Sequence, residues 1–277
     1  MREPNRILFV DQEIYPYMPD ESPLRVLNRQ LPEYFQAHGY QTRTFMPKFG
    51  DINERRCQLH EVIRLSGMNL IIEDTDHPLI LKVASIQSAR IQFYFIDNED
   101  FFNRRKGIGD ENGEYKDNDE RCIFYARGVL ETVKKLRWTP DIVHCSGWMS
   151  ALVPLYLKKA YGDMPFFHNV KIVLALDGNS YKTPFATKFT DKLLVEGIRK
   201  TDLRGIDGFP VGFEELMRLA IDNVDAIVMT TPDVPQRLQN YAETSGKPIL
   251  PFQDYNTDTY LEFYNQLLGA ETVEWRV

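Results

Sequence analysis

The stretch RILFVDQEIYPYMPDESPLRVLNRQLPEYF, Arg6 to Phe35, sets the fold. It opens on an apolar, β-rich run, Arg6 to Val10. It closes on Leu24, Leu27, Leu31, Tyr34 and Phe35, which recur at helical spacing. A loop between a strand and a helix is where many α/β proteins cradle a phosphate on glycines. This loop has no glycine; it carries Pro16, Pro19 and Pro23 with the acids Asp20 and Glu21. Pro32 interrupts the helical pattern and can kink it. Gly39 stops it, and Gln41 to Met46 reads as a second strand, completing a βαβ start.

The same alternation continues downstream. Gln58 to Leu65 and Pro78 to Ser85 read as hairpin strands, and Ile91 to Ile96 as a stronger strand. Asp97 to Asp119 is polar, with Gly107, Gly109 and Gly113, and reads as a long mobile surface loop. Helices are expected over 123–136, 149–160, 211–221, 234–243 and 257–268, and strands over 141–144, 171–176, 226–229 and 248–250. This order predicts a single Rossmann-like α/β domain over residues 1–277, its mainly parallel sheet covered by helices on both faces. Ligands of such sheets lie beyond the carboxyl ends of the strands. Those ends fall here at residues 11–19, 97–105, 144–148, 177–181 and 230–233.

Composition narrows the function. A net charge of -7 argues against a nucleic-acid binder, which needs a basic face. No apolar run approaches the roughly 20 residues that span a bilayer. Cys57, Cys122 and Cys145 show no metal-ligand spacing and read as reduced thiols of a cytoplasmic protein. No metal and no cofactor is expected.

Five separated segments resemble one family, in order. RILFVDQEIYPYM, with the helix carrying Leu31-Pro32 and then HGYQTRTFMPKFGDI, resembles the opening of bacterial glycogen synthases and plant starch synthases. YFIDNEDFFNRRKGIGDENGEYKDNDERCIFYARGVLE, PDIVHCSGWMSALVPLYLK, LALDGNSYKTPF and FEELMRLAIDNVDAIVMTTPDVPQRL resemble later segments of the same family. The resemblance implies a GT-B glycosyltransferase, with two Rossmann-like domains that transfer glucose from ADP-glucose or UDP-glucose to an α-1,4-glucan. It implies that this chain corresponds to the N-terminal, acceptor-side domain. The tail from Pro251 is then too short for a nucleotide-binding partner domain.

The departures from that pattern fall at the strand ends. Where the family has KTGGL, this chain has Pro19-Asp20-Glu21-Ser22-Pro23-Leu24, one residue longer. The family's lysine faces the donor phosphates and its glycines let backbone N–H groups approach them. Prolines lack that N–H, and acids repel a pyrophosphate. Asp20 or Ser22 instead suits a helix N-cap with Pro23 in the first turn. In HCSGWMS, Ser146, Gly147 and Met149 replace the family's His, Asp and His, while His144, Trp148 and Ser150 fit. Trp148 can stack on a sugar or pack against the following helix. His144 is a base or a satisfied strand-end histidine. In ALDGNSY, Asp177 replaces a His that contacts the transferred sugar, on a loop that also carries Asn179 and Tyr181.

Asp11, Glu13 and Asp177 form an acidic rim if they converge, or are solvated caps if they do not. The candidate ligand-binding set is therefore Asp11, Glu13, His144, Trp148, Asp177, Asn179 and Tyr181, with no catalytic residue. A non-catalytic relative that binds an α-glucan, a small sugar or a protein partner is expected. The rival is half of an ADP-glucose-dependent glucosyltransferase completed by a separate donor-binding domain; a different small-molecule enzyme in the same cleft is a third reading. A homo-oligomer would use the cleft side, through exposed Trp148, Tyr181 and Phe185.

Overall fold

The structure is a computed structural model and describes residues 5–87, 89–195 and 197–269. The first βαβ unit is β1 (Arg6–Asp11), α1 (Pro23–Ala37) and β2 (Gln41–Pro47). There follow β3 (His60–Glu61), β4 (Met68–Ile72), β5 (Thr75–Ile86), β6 (Ile91–Asp97), and a small hairpin of β7 (Gly109–Asp110) and β8 (Gly113–Glu114). Next come α2 (Asn118–Leu136), β9 (Ile142–Ser146), α3 (Val153–Lys159), β10 (Lys171–Leu176) and α4 (Phe189–Lys192). The chain continues through α5 (Phe213–Asp222), β11 (Ala226–Met229), α6 (Gln236–Thr244), β12 (Ile249–Leu250) and α7 (Thr257–Leu267).

The main sheet runs β12-β11-β10-β9-β1-β2-β6-β5-β3, with β4 paired to β5. Every pairing from β12 to β6 is parallel, and β5 is antiparallel to β6, β3 and β4. The alternation of β1 explains the layers. Ile7 and Phe9 face Leu27, Leu31 and Phe35 of α1 and Tyr260 and Tyr264 of α7. Leu8 and Val10 face the other core, with Phe124 and Val129 of α2, Leu155 of α3 and Leu216 of α5. Helices therefore cover both faces, as a parallel sheet requires. Among the described residues no helix is long and apolar enough to cross a membrane.

The Ser22 hydroxyl caps α1, accepting the Arg25 N–H at 3.3 Å, and Pro23 takes the first turn. The helix runs unbroken through Pro32.

Two expectations fail. Gln58 to Leu65 is not a hairpin strand. Gln58 has φ 52°, outside strand geometry, and only His60–Glu61 pairs with β5. The partner of β5 is β4, joined to it by a turn at Glu73 with φ 51°.

Nor is 97–119 a free loop. Phe101 and Phe102 are buried, and the Asn98 side chain accepts the N–H groups of Asp100 and Phe101, both at 3.1 Å. Arg121, fully buried at the start of α2, donates to the Phe101 carbonyl at 2.7 Å, Asn118 Oδ1 at 2.6 Å and the Gly107 carbonyl at 2.7 Å. Burial lowers its pKa to about 10, so the guanidinium stays charged and holds the segment by charge-assisted bonds. The helix thus begins at Asn118, ahead of the expected 123.

Candidate functional site

The strand order reverses between β1 and β9, and the carboxyl ends there splay into a crevice. A cavity of about 350 Å³ fills it. Its walls are the loop after β1 (Gln12, Glu13), the start of α1 (Arg25, Asn28), the loop after β9 (Gly147, Trp148) and the loop after β10 (Asp177, Asn179). A second, more open hollow of about 560 Å³ shares Glu13, Arg25 and Ile108 with it, extending the cleft past Pro19 and Asp20 towards the β7–β8 hairpin.

Short-range bonds fix these loops. The Gln12 N–H donates to the Ser146 carbonyl at 2.9 Å, and Gln12 Oε1 accepts the Met149 N–H at 3.1 Å. Gly147, between them, has φ 82° and ψ 152°, a region open essentially to glycine. A Cβ there would sit 2.5 Å from the Cβ of Gln12. Buried Asn28 donates to the Glu13 carbonyl at 3.0 Å and accepts from the Ser146 hydroxyl at 3.3 Å, tying α1 to both loops. Arg25 donates through Nε to Glu13 Oε2 at 2.8 Å and through its guanidinium to the Asp20 carbonyl at 2.7 Å.

Arg25 and Asn28 were not among the residues expected from sequence. The signal for Asn28 was present: it is a polar residue on the stripe Leu24, Leu31, Phe35 that faces the sheet.

The cleft is acidic. Glu13, Asp20, Asp51, Asp110, Glu114 and Asp177 line its two hollows, against Arg25 and Lys182. Arg25 is already paired with Glu13. Glu114 accepts the backbone N–H groups of Lys182 at 2.8 Å and Thr183 at 2.7 Å, so those donors are committed.

Asp177 is 2% exposed, and its Oδ1 accepts the Asn179 N–H at 2.7 Å. Burial pushes its pKa up to about 7; the Asn179 N–H opposes the rise, and the charges of Asp233 and Glu13 add to it. The folded chain therefore holds a proton that the unfolded chain has lost between about pH 4 and 7. The stability contributed by Asp177 is greatest below pH 4 and falls as pH rises through 7. The shift of roughly 3 pK units caps the effect at ~4 kcal/mol. Asp177→Asn keeps an acceptor for Asn179 but loses its charge. The expected outcome is about 1–2 kcal/mol of stabilisation at pH 8.5 and none at pH 4, read from urea unfolding at the two pH values.

The structure brings four of the expected residues to the cavity: Glu13, Trp148, Asp177 and Asn179. Trp148 is only 1% exposed, however, its ring centroid 4.9 Å from Tyr181 and 6.1 Å from Phe185. Tyr181 is buried behind the wall, its hydroxyl donating to the Val211 carbonyl at 3.1 Å. The expected exposed patch at Trp148, Tyr181 and Phe185 does not exist; the three rings pack on one another, and that surface gives no reason for a homo-oligomer.

His144 and Asp11 lie beneath the crevice, fully buried. His144 Nδ1 bonds the Tyr264 hydroxyl at 2.5 Å, and burial lowers its pKa to about 3, so the ring stays neutral. Burial raises the Asp11 carboxyl well above its ordinary value, and neither of its oxygens has a partner among the described residues. The acidic rim therefore gathers Glu13 and Asp177 without Asp11. Among the described residues no three His, Cys, Asp or Glu side chains are grouped to hold a metal ion.

The sequence model of the starch synthase catalytic domain matches residues 6–247. The glycogen synthase of Chlorobium limicola is 38% identical over 276 residues, covering 98% of this chain and 54% of that protein. The glycogen synthase of Chlorobaculum parvum is 31% identical over 278 residues, again 98% of this chain and 54% of that protein. The chain spans about half the length of the curated relatives it matches. The catalytic domain of starch synthase IV from Arabidopsis thaliana, bound to ADP and acarbose, superposes with a TM-score of 0.70 at 15% identity, over 90% of this chain and 51% of that one. That likeness gives a common fold, and the sequence match to the starch synthase catalytic domain, together with the glycogen synthase relatives, gives the lineage: the chain belongs to the glycogen and starch synthase family.

Proposed function

We propose that this chain is a non-transferring member of its family that binds the end of an α-glucan, or a small neutral sugar, in the cleft at the carboxyl edge of the sheet. In this reading residues 1–277 form one domain around one cleft. The observation that carries it is the chemistry of the loop between β1 and α1. Pro19 and Pro23 supply no N–H, the Ser22 hydroxyl is spent on the helix cap, and Asp20 faces the cleft. A nucleotide diphosphate would meet carboxylates where it needs donors. A neutral polyol would meet the acceptors Glu13 and Asp177 and the Asn179 carboxamide, which suit hydroxyl groups.

The half-length match to the relatives favours one rival, a glucosyltransferase half completed by a separate donor-binding domain. ADP and acarbose, the ligands of the Arabidopsis neighbour, define the comparison to make. Maltooligosaccharide at 100 times its Kd should stabilise the chain by about 2.7 kcal/mol, while ADP-glucose should leave the melting curve unmoved. Stabilisation by ADP-glucose would overturn the proposal, and stabilisation by neither would point to a protein partner.

A further inference from the structure

Asp11 takes no part in the cleft, yet it is fully buried at the end of β1 with both carboxyl oxygens unpartnered among the described residues. Such a group is a cost to the fold, and a greater one when ionised. By the alternation of the strand it follows Ile7 and Phe9 on the face that α1 and α7 cover. On the neighbouring strand, Phe9 pairs with His144 and Asp11 with Ser146. His144, on that same face, also has an orphaned atom, Nε2.

No donor of charge stands near to compensate. The titratable groups around Asp11 are Tyr125 of α2, Cys145 of β9 and Tyr264 of α7, and burial pushes all three up, so they stay neutral. His144 is held neutral by its own burial. From α1 the polar neighbour is Asn28, which is uncharged and occupied by Ser146 and the Glu13 carbonyl.

The cover over this face is uneven. α1 is fixed by the Ser22 cap, the Arg25–Glu13 pair and the bonds of Asn28. α7 buries only Tyr260 and Tyr264. Its side-chain ties join Tyr34 to Asp258, Tyr40 to Asn265, and the Tyr264 hydroxyl to His144 Nδ1 at 2.5 Å. The last of these lies within electrostatic reach of Asp11. A short helix held by so few groups is the element that opens first.

We propose that α7 is a proton-dependent cover: it lies closed while Asp11 is protonated, and it lifts as Asp11 ionises and draws solvent to its carboxylate. The sign follows from linkage. Burial raises the carboxyl in the closed form, whereas the open form has an ordinary aspartate value of about 3.9. Closure is therefore complete below about pH 4 and weakens about tenfold for each further pH unit, until the closed form ionises as well. The inference is independent of the reading given to the cleft.

The test is amide hydrogen exchange of the full chain at pH 5, 6 and 7, each rate corrected for intrinsic exchange. The α7 amides should be less protected than those of α5, and their protection should fall about tenfold per pH unit. Asp11→Asn should flatten that slope, and Asp177→Asn in the cleft should leave it. If Asp11→Asn fails to fold, the ¹³C resonance of the Asp11 carboxyl in the parent decides: it should be that of a protonated acid at pH 5, where an ordinary aspartate is ionised. An ionised Asp11 at pH 5, α7 protection that is flat with pH or equal to that of α5, or a slope that survives Asp11→Asn would overturn the proposal.

Discussion

Gly147→Ala is expected to destabilise the chain by about 4 kcal/mol, as the sum of two penalties. At φ 82° and ψ 152° the backbone of Gly147 lies where a side chain is strained by about 1–3 kcal/mol. The new Cβ would also sit 2.5 Å from the Cβ of Gln12, and overpacking of that kind costs about 1–3 kcal/mol. Gln12 cannot swing away cheaply, because its side chain holds the Met149 N–H and its backbone holds Ser146. The fall in Tm should be roughly 10 °C for a chain of this size.

Gly178→Ala is the control. Its Cβ would come within 2.5 Å of the Asp233 carboxyl, but Asp233 is exposed and free to turn, so the cost should stay below about 1 kcal/mol. Equal losses in the two variants would show that the loop after β9 is not fixed in this way.

The second large effect is an absence of reaction. The 277-residue chain alone should incorporate no labelled glucose into glycogen from ADP-glucose or UDP-glucose above background. Transfer from a nucleotide sugar depends on donors placed to stabilise charge developing on the departing phosphate, each worth about 2.7–4 kcal/mol. Along the loop from β1 to α1, Pro19 and Pro23 have no N–H, and Arg25 is held by Glu13 and the Asp20 carbonyl. After β10, the resemblance of the sequence to the family implies that Asp177 takes the place of an imidazole. Losing two such donors would slow the step by roughly four to six powers of ten. Turnover of a few per second by the chain alone would refute this. Activity that emerges only when a donor-binding chain is added would instead support the rival reading of a split transferase.

How much of this was legible in the residues depended on what each residue faced. The strands at 6–10, 91–96 and 171–176 could be read because each is a largely apolar run, as strands inside a parallel sheet are, whereas 41–46, QTRTFM, was placed by the helix stop at Gly39 just before it. β4 was missed because Ile71, 56% exposed, points outward between the buried Leu70 and Ile72 and blurs the alternation. The order of 97–119 was hidden because much of what organises it lies outside it. The Arg121 side chain reaches back to carbonyls 14 and 20 residues earlier. In the cleft, acids at strand ends announced themselves, so Glu13 and Asp177 were found. Whether Asp11 and Tyr181 faced the cavity or the core could not be told from spacing, and both face inward.

The position of α7 in the chain bears on how the protein is made. Tyr260 and Tyr264 of α7 cover a sheet face built from Ile7, Phe9, Ile142, Val173, Ala226 and Val228. Tyr34 pairs with Asp258, 224 residues away in the chain, and Tyr264 reaches His144 across 120. During synthesis the amino-terminal strands leave the ribosome first, yet part of their apolar face has no cover until residues 257–267 follow. At about 5–20 residues per second, that face waits roughly 12–50 seconds for its last partner. Until α7 emerges the nascent chain thus carries a sticky flank, and a chaperone that shields β1 and β9 early would act on the period of greatest risk.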